Sequence, residues 1–245
     1  MQASHLLSVL LLVFIASCGG KNSGSSGSDS NNLVNQNETM MPDGSNVQGI
    51  YATDLWPQNF NLHLKKVGVA AVERNGDEFK ALVKMDNGSK GTQMRQAIYY
   101  GRRCPNINDD LNHDAYIDIQ EARIAIGMIT IPLDANLDSQ ERGSREFPVG
   151  SSSRGSFNYH KTASFSRMFA DLKEPDQDFS DDITKLLPQD GLTLPGRVVL
   201  VQGVSSDTIL PGTVAGQNGM SAHESIPMGC GIIWKVTSLP EELNH

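Results

Sequence analysis

The chain predicts an all-β fold, a β-sandwich or flattened barrel, on three observations. From Asn61 to Met85 two apolar-rich runs flank Asn75-Gly76, a pair suited to a tight type I′ hairpin turn because both residues tolerate positive φ. Further short β-like runs follow at Met94 to Tyr100, Met128 to Pro132, Ser164 to Phe169, Arg197 to Gln202 and Gly231 to Val236, separated by Gly, Pro, Asp and Asn clusters. Helical spacing is scarce: only Ile119 to Ile126 and Phe179 to Leu187 suggest helices, both short and both at loops.

A chain of 245 residues with 38% hydrophobic, 20% charged and 6% aromatic residues suits one globular domain with accessory segments. Its net charge of −8 disfavours a non-specific nucleic-acid binder or a reader of anionic membrane surfaces, since both need excess positive charge. No nucleic-acid partner is expected.

Before the domain, Leu6 to Ile15 is the one long apolar run. About ten residues are too few to cross a bilayer, so the run reads as a signal-peptide core. Ile15-Ala16-Ser17-Cys18 follows and resembles the lipobox of bacterial lipoproteins, which implies cleavage before Cys18 and a lipid on its thiol. The implied place is the cell envelope, with the outer membrane or cell surface favoured because Gly19 follows the cysteine. Residues 1–17 are thus the expected signal peptide. Residues 18–48, rich in Gly, Ser and Asn, have little to bury and read as a flexible tether. The folded domain is expected over 49–237 with an insertion at 105–127, and 238–245 as a C-terminal tail. Cys104 and Cys230 remain as an even pair in an oxidising compartment, where a disulfide is the default and two inert buried thiols the alternative.

The most specific local motif runs from Asp110 to Glu121 and resembles the twelve-residue loop of EF-hands and dockerin-like modules. The resemblance implies oxygen ligands from Asp110, Asn112, Asp114, the Tyr116 carbonyl, Asp118 and both oxygens of Glu121, with Ile117 pinning the loop to the core. Hard oxygen donors at this spacing suit calcium. Without a cation, these carboxylates and Asp109 would repel one another. Ala115 stands where such loops have a glycine, and the positive φ needed there costs an alanine about 1 kcal/mol. Asp134, Asn136 and Asp138 match only the first ligand positions and read as an acidic turn.

The last third, Gly196 to Asp207 and then Met228 to Ile233, resembles the end of copper/zinc superoxide dismutases and of the related CHRD domains. The Asn75-Gly76 hairpin is similar to that family's first two strands. Ala97 to Cys104 sits where the family has its paired copper histidines and disulfide cysteine, and Phe169 to Leu172 resembles its zinc-aspartate segment. The resemblance implies an eight-stranded Greek-key barrel with a Cys104–Cys230 disulfide. It does not imply the enzyme. The copper histidines fall on Gln96, Ile98 and Gln202, the bridging histidine near Ser156, a zinc histidine on Met168, and the superoxide-guiding arginine on Pro227. Only the zinc aspartate survives, as Asp171.

Once His5 is lost with the signal, His63, His113, His160, His223 and His245 are too scattered to build a copper/zinc pair. Zinc and copper are therefore not expected, although His160 with Asp171 would supply two zinc ligands. There is no G-x-S-x-G elbow, phosphate-binding glycine loop or H-E-x-x-H. Ser151 to Ser153 reads as a flexible loop, and Trp56 and Trp234 as core or interface packing. The expected function is a non-catalytic binding or structural module with an unidentified protein or envelope partner. The alternatives are a superoxide dismutase-type metalloenzyme and a calcium-dependent adhesion module.

Overall fold

The computed structural model describes residues 48–62, 65–86, 88–138, 146–150, 155–173, 191–217 and 219–244, all within the unit Glu38–His245. The strands are β1 (Gly49–Pro57), β2 (Gly68–Asn75), β3 (Glu78–Met85), β4 (Arg95–Tyr99), β5 (Ile129–Pro132), β6 (Phe157–Ser164), β7 (Val198–Gln202), β8 (Pro227–Ile232) and β9 (Trp234–Val236). Short helices are α1 (Ile119–Ile126), α2 (Phe165–Asp171) and α3 (Ala222–Ser225), with 3-10 turns at Ile107–Asp109 and Glu241–Leu243.

The strand order is β5-β4-β7-β8-β1-β2-β3-β6, with β9 added beside β1, and the named strands pair antiparallel throughout. The β3–β4, β5–β6 and β6–β7 connections pass between the two ends of this order, which is a Greek-key arrangement. Eight strands laid flat at about 4.8 Å spacing would hold the outermost side chains more than 30 Å apart. Yet residues from β1 through β8, among them Leu55, Val72, Val83, Ile98, Ile131, Tyr159, Val201 and Met228, form one buried cluster. The sheet therefore curls around its apolar face, as the predicted β-sandwich or barrel requires. Glycine permits close packing of β8 on β1: a Cβ on Gly231 of β8 would lie 2.3 Å from the Asp54 carbonyl oxygen of β1.

Elements read from local pattern fall close to their predicted places. The run at Ile119 to Ile126 is α1, and β4, β5 and β7 lie inside the expected runs. Several readings are corrected. The hairpin turn is Gly76-Asp77, because Asn75 pairs with Glu78. Gly76 has φ 62 and Asp77 does not have positive φ, so the turn follows the type II′ pattern and not type I′. This hairpin is β2–β3, since β1 precedes it. Ser164 to Phe169 is the end of β6 and the start of α2. The strand stops because the Ser164 hydroxyl accepts from Arg167 N and the Asp77 carboxylate accepts from Ser166 N at 2.7 Å, an N-terminal cap. Phe165, Met168 and Phe169 then bury one helical face.

Gly231 to Val236 breaks in two at Ile233, whose side chain enters the core while its backbone exchanges hydrogen bonds with Gly196 and Arg197. Trp56 and Trp234 are not core residues: they are 54% and 59% exposed, because β1 and β9 turn these positions outward. Phe179 to Leu187 and Ser151 to Ser153 lie outside the described residues, as do residues 1–47 with Leu6 to Ile15 and Cys18.

Two smaller clusters cover the outer face. Ile117, Ile119, Ala122, Ala125 and Ile126, from the loop and α1, pack on Ala97, Tyr99, Val198 and Leu200. Leu239 and Leu243 lie against Ala52, Ala71 and Leu82. There Lys66 bridges Asp54 and Glu242, at 2.8 Å each.

Candidate metal-binding loop

The insertion begins where the chain leaves β4 and is fastened at once. Cys104 is bonded to Cys230 of β8, with Cα atoms 5.8 Å apart, and Arg103 forms a two-pronged ion pair with Asp109 at 2.6 and 2.7 Å. That guanidinium holds the Asp109 carboxyl below its ordinary pKa, and a hydrogen bond from Asn106 N adds to the effect. Asp109 is thus committed to the fold.

The next twelve residues wind around their own side-chain oxygens. Asp110 Oδ1 accepts from Asp114 N at 3.2 Å and Oδ2 from Ala115 N at 2.9 Å. Asn112 Oδ1 accepts from Asp114 N at 2.9 Å, and Asp114 Oδ1 from Tyr116 N at 2.8 Å. Asp118 caps α1, its Oδ1 accepting from Gln120 N and Glu121 N at 2.8 and 3.0 Å. Glu121 reaches back from the first helical turn: Oε2 accepts from Asp118 N at 3.0 Å, and Oε1 from Leu111 N and Asn112 N at 2.9 and 3.2 Å. Asp110, Asp118 and Glu121 are buried. Ala115 has φ 68, the conformation expected at the position where a glycine is usual.

Each predicted ligand residue therefore lies in one loop, but the side chains of Asp110, Asn112, Asp114, Asp118 and Glu121 accept from nearby amides. Among the described residues, no three His, Cys, Asp or Glu side chains converge as a metal cluster. A cation would have to draw the carboxylates inward. The donor chemistry fits calcium: the ligating atoms at these positions would all be oxygens, and the turn that reverses the chain at Ala115 is formed.

Sequence reasoning missed the residues that hold this loop. Asn59, buried between β1 and β2, accepts from Ile117 N at 2.6 Å and donates to the carbonyls of Ile117 and Pro227 at 3.1 and 2.8 Å. Asn61 donates to the Ala115 carbonyl at 3.0 Å. From the segment between β7 and α3, Thr213 donates its hydroxyl proton to Asp114 Oδ2, and Ala215 N donates to Asp118 Oδ2 at 2.9 Å. The Asn59–Ile117 pair is separated by 58 residues, beyond the reach of any spacing pattern.

The positions aligned with copper and zinc ligands carry other chemistry. Ile98 and Met168 are fully buried in the core. Gln96 and Gln202 are 2% and 3% exposed, with Gln96 Nε2 donating to the Leu133 carbonyl at 3.0 Å. Pro227 opens β8 and Asp171 ends α2. His160 is exposed on β6, opposite Leu82. His113 lies exposed in the loop, whereas His223 bonds the Thr208 carbonyl through Nε2 at 2.8 Å. His63 and His245 lie outside the described residues. In the predicted acidic turn, Asp134 Oδ1 accepts from Asn136 N at 2.9 Å, and Asp138 Oδ1 accepts from Ser164 N at 2.8 Å.

No family model matches the chain, and no curated protein matches it. Among solved structures, a SOD-like protein from Bacillus subtilis is similar at 10% identity and TM-score 0.34, over 74% of this chain and 95% of that one. A double mutant of that protein gives 12% identity and TM-score 0.37, over 74% and 94%. The Cu/Zn superoxide dismutase of Brucella abortus gives 10% identity and TM-score 0.35, over 75% and 98%. The Greek-key β-sandwich of this chain rests on its own strand order and buried cluster.

Proposed function

We propose that this chain is a lipid-anchored envelope protein whose β-sandwich is a calcium-stabilised binding or structural module that does not dismutate superoxide. The wound loop from Asp110 to Glu121 carries the calcium reading. Its oxygen donors recur at calcium spacing, its strained turn at Ala115 is in place, and Asn59, Asn61 and Thr213 dock it on the domain. Gln96, Ile98, Gln202, Ser156 and Met168 offer no imidazole at the aligned positions, which supports a module without copper chemistry.

Calcium titration of the purified chain, followed by thermal unfolding, tests the metal. A dissociation constant on the order of 10⁻⁴ M is expected, since Ala115 strains the turn. About 100-fold excess calcium over that constant then raises the unfolding free energy by roughly 2.7 kcal/mol. Glu121→Gln removes most of the shift while its remaining amide oxygen still accepts a hydrogen bond, and His160→Ala leaves the shift intact. A melting temperature indifferent to calcium and chelator, or copper-dependent dismutation by the wild-type chain, rejects the reading.

The anchor rests on Ile15-Ala16-Ser17-Cys18. Cys18→Ser should move the protein from the detergent phase to the aqueous phase on membrane fractionation. Unchanged partitioning excludes the lipid.

A further inference from the structure

We propose that Arg102, Tyr100 and Trp234 form a binding site for an acidic saccharide, a sugar ring carrying a carboxylate. This goes beyond the calcium reading and does not depend on it. Arg102 follows β4, and its guanidinium converges with the Trp234 ring of β9 over Gly196. A Cβ placed on Gly196 would meet Arg102 Nη1 at 3.4 Å and Trp234 Cη2 at 3.5 Å. Gly196 has φ 77 and no side chain, so the floor between the two groups is bare backbone. Beside them, the Arg197 guanidinium lies 4.1 Å from the Tyr100 ring centroid.

The charge is unbalanced at this spot. Arg103 is neutralised by Asp109, whereas exposed Arg102 makes no ion pair or hydrogen bond with the described residues. Buried Arg197 spends its donors on Thr193 O, Thr193 Oγ1 and the Tyr100 carbonyl. Burial, and then the nearby charge of Arg102, hold Arg197 below its ordinary pKa. Two guanidiniums thus stand together in a chain of net charge −8.

One free planar fork matches one carboxylate. Tyr100 and Trp234, 52% and 59% exposed, present ring surface that a bare oxyanion would not use but the C–H face of a sugar would cover. A nucleic acid would need many more cations.

Calorimetric titration of the full chain with an oligogalacturonate, a neutral glucose oligomer of equal length and inorganic phosphate tests the assignment, with and without chelator. The oligogalacturonate should bind at least about tenfold more tightly than either other probe, with or without calcium. Arg102→Ala should weaken it about tenfold or more, the scale of one charge-assisted hydrogen bond, and Trp234→Ala should weaken it by losing the ring face that the sugar covers. Lys90→Ala should change nothing, and all three variants should keep the wild-type melting temperature, since the replaced side chains are exposed. Equal binding of the neutral oligomer, phosphate binding as tight as the oligogalacturonate, or indifference to both variants overturns the proposal.

Discussion

Asp109 shows how one residue's role depends on its neighbours. By sequence it belongs to the acidic run around the loop, yet it pairs with Arg103 and caps the turn at Ile107–Asp109. Its lowered folded pKa means that its contribution to stability is present above the ordinary carboxylate range. That contribution is lost as pH falls through this range, about 4, to the lower folded value. In melting scans across acid pH, Asp109→Asn should flatten the fall in melting temperature relative to wild type, and parallel curves would reject the role. Ala115 is the opposite case: its positive φ was expected from the loop's resemblance to EF-hand loops, where the reversal is a local steric demand. The Gly76 turn was half legible. The pair Asn75-Gly76 marks a hairpin, but only the strand register shows that Asn75 is its last paired residue.

Among elements, the insertion and the strands beneath it act as one unit. Ile117 and Ile119 are buried against β4 and β7, while Asn59 ties the loop backbone to the start of β8 through three hydrogen bonds. Asn59→Ala would leave these buried partners unsatisfied, so about 3 kcal/mol of unfolding free energy should be lost in urea denaturation. A loss below about 1 kcal/mol would mean that the insertion docks without it. α1 was readable because its apolar spacing, its Asp118 cap and Glu121 agree over a few residues. The start of α2 was misread as strand, although Phe165, Met168 and Phe169 carry the spacing of a helical face. Its N-terminus is capped by Ser164 and also held by Asp77 from the β2–β3 turn.

For the whole molecule, the Cys104–Cys230 bond is a covalent cross-link spanning 126 residues. Replacing both cysteines with serine should cost about 4 to 5 kcal/mol in the chain-entropy account. The comparison is denaturant unfolding of oxidised wild type against the double variant, and coincident curves would remove the disulfide from the account of stability. Non-reducing peptide mapping should recover one peptide pair containing both cysteines. The bond also joins the insertion to the strand beside Trp56, which pairs with Cys230.

What the sequence determined by itself was local: the β class, most strand positions, α1, the oxygen-rich loop and an even cysteine pair. These follow from side-chain period, turn chemistry and spacing over a dozen residues or fewer. The tertiary structure alone decided that β1 lies between β2 and β8, that Trp56 and Trp234 face outward, and that Asn59 and Thr213 grip the loop. It also brought Arg102 and Trp234 together over Gly196. Such contacts join residues that are far apart along the chain, and they depend on which surface remains to be covered once the strands have paired. No short-range pattern carries that information.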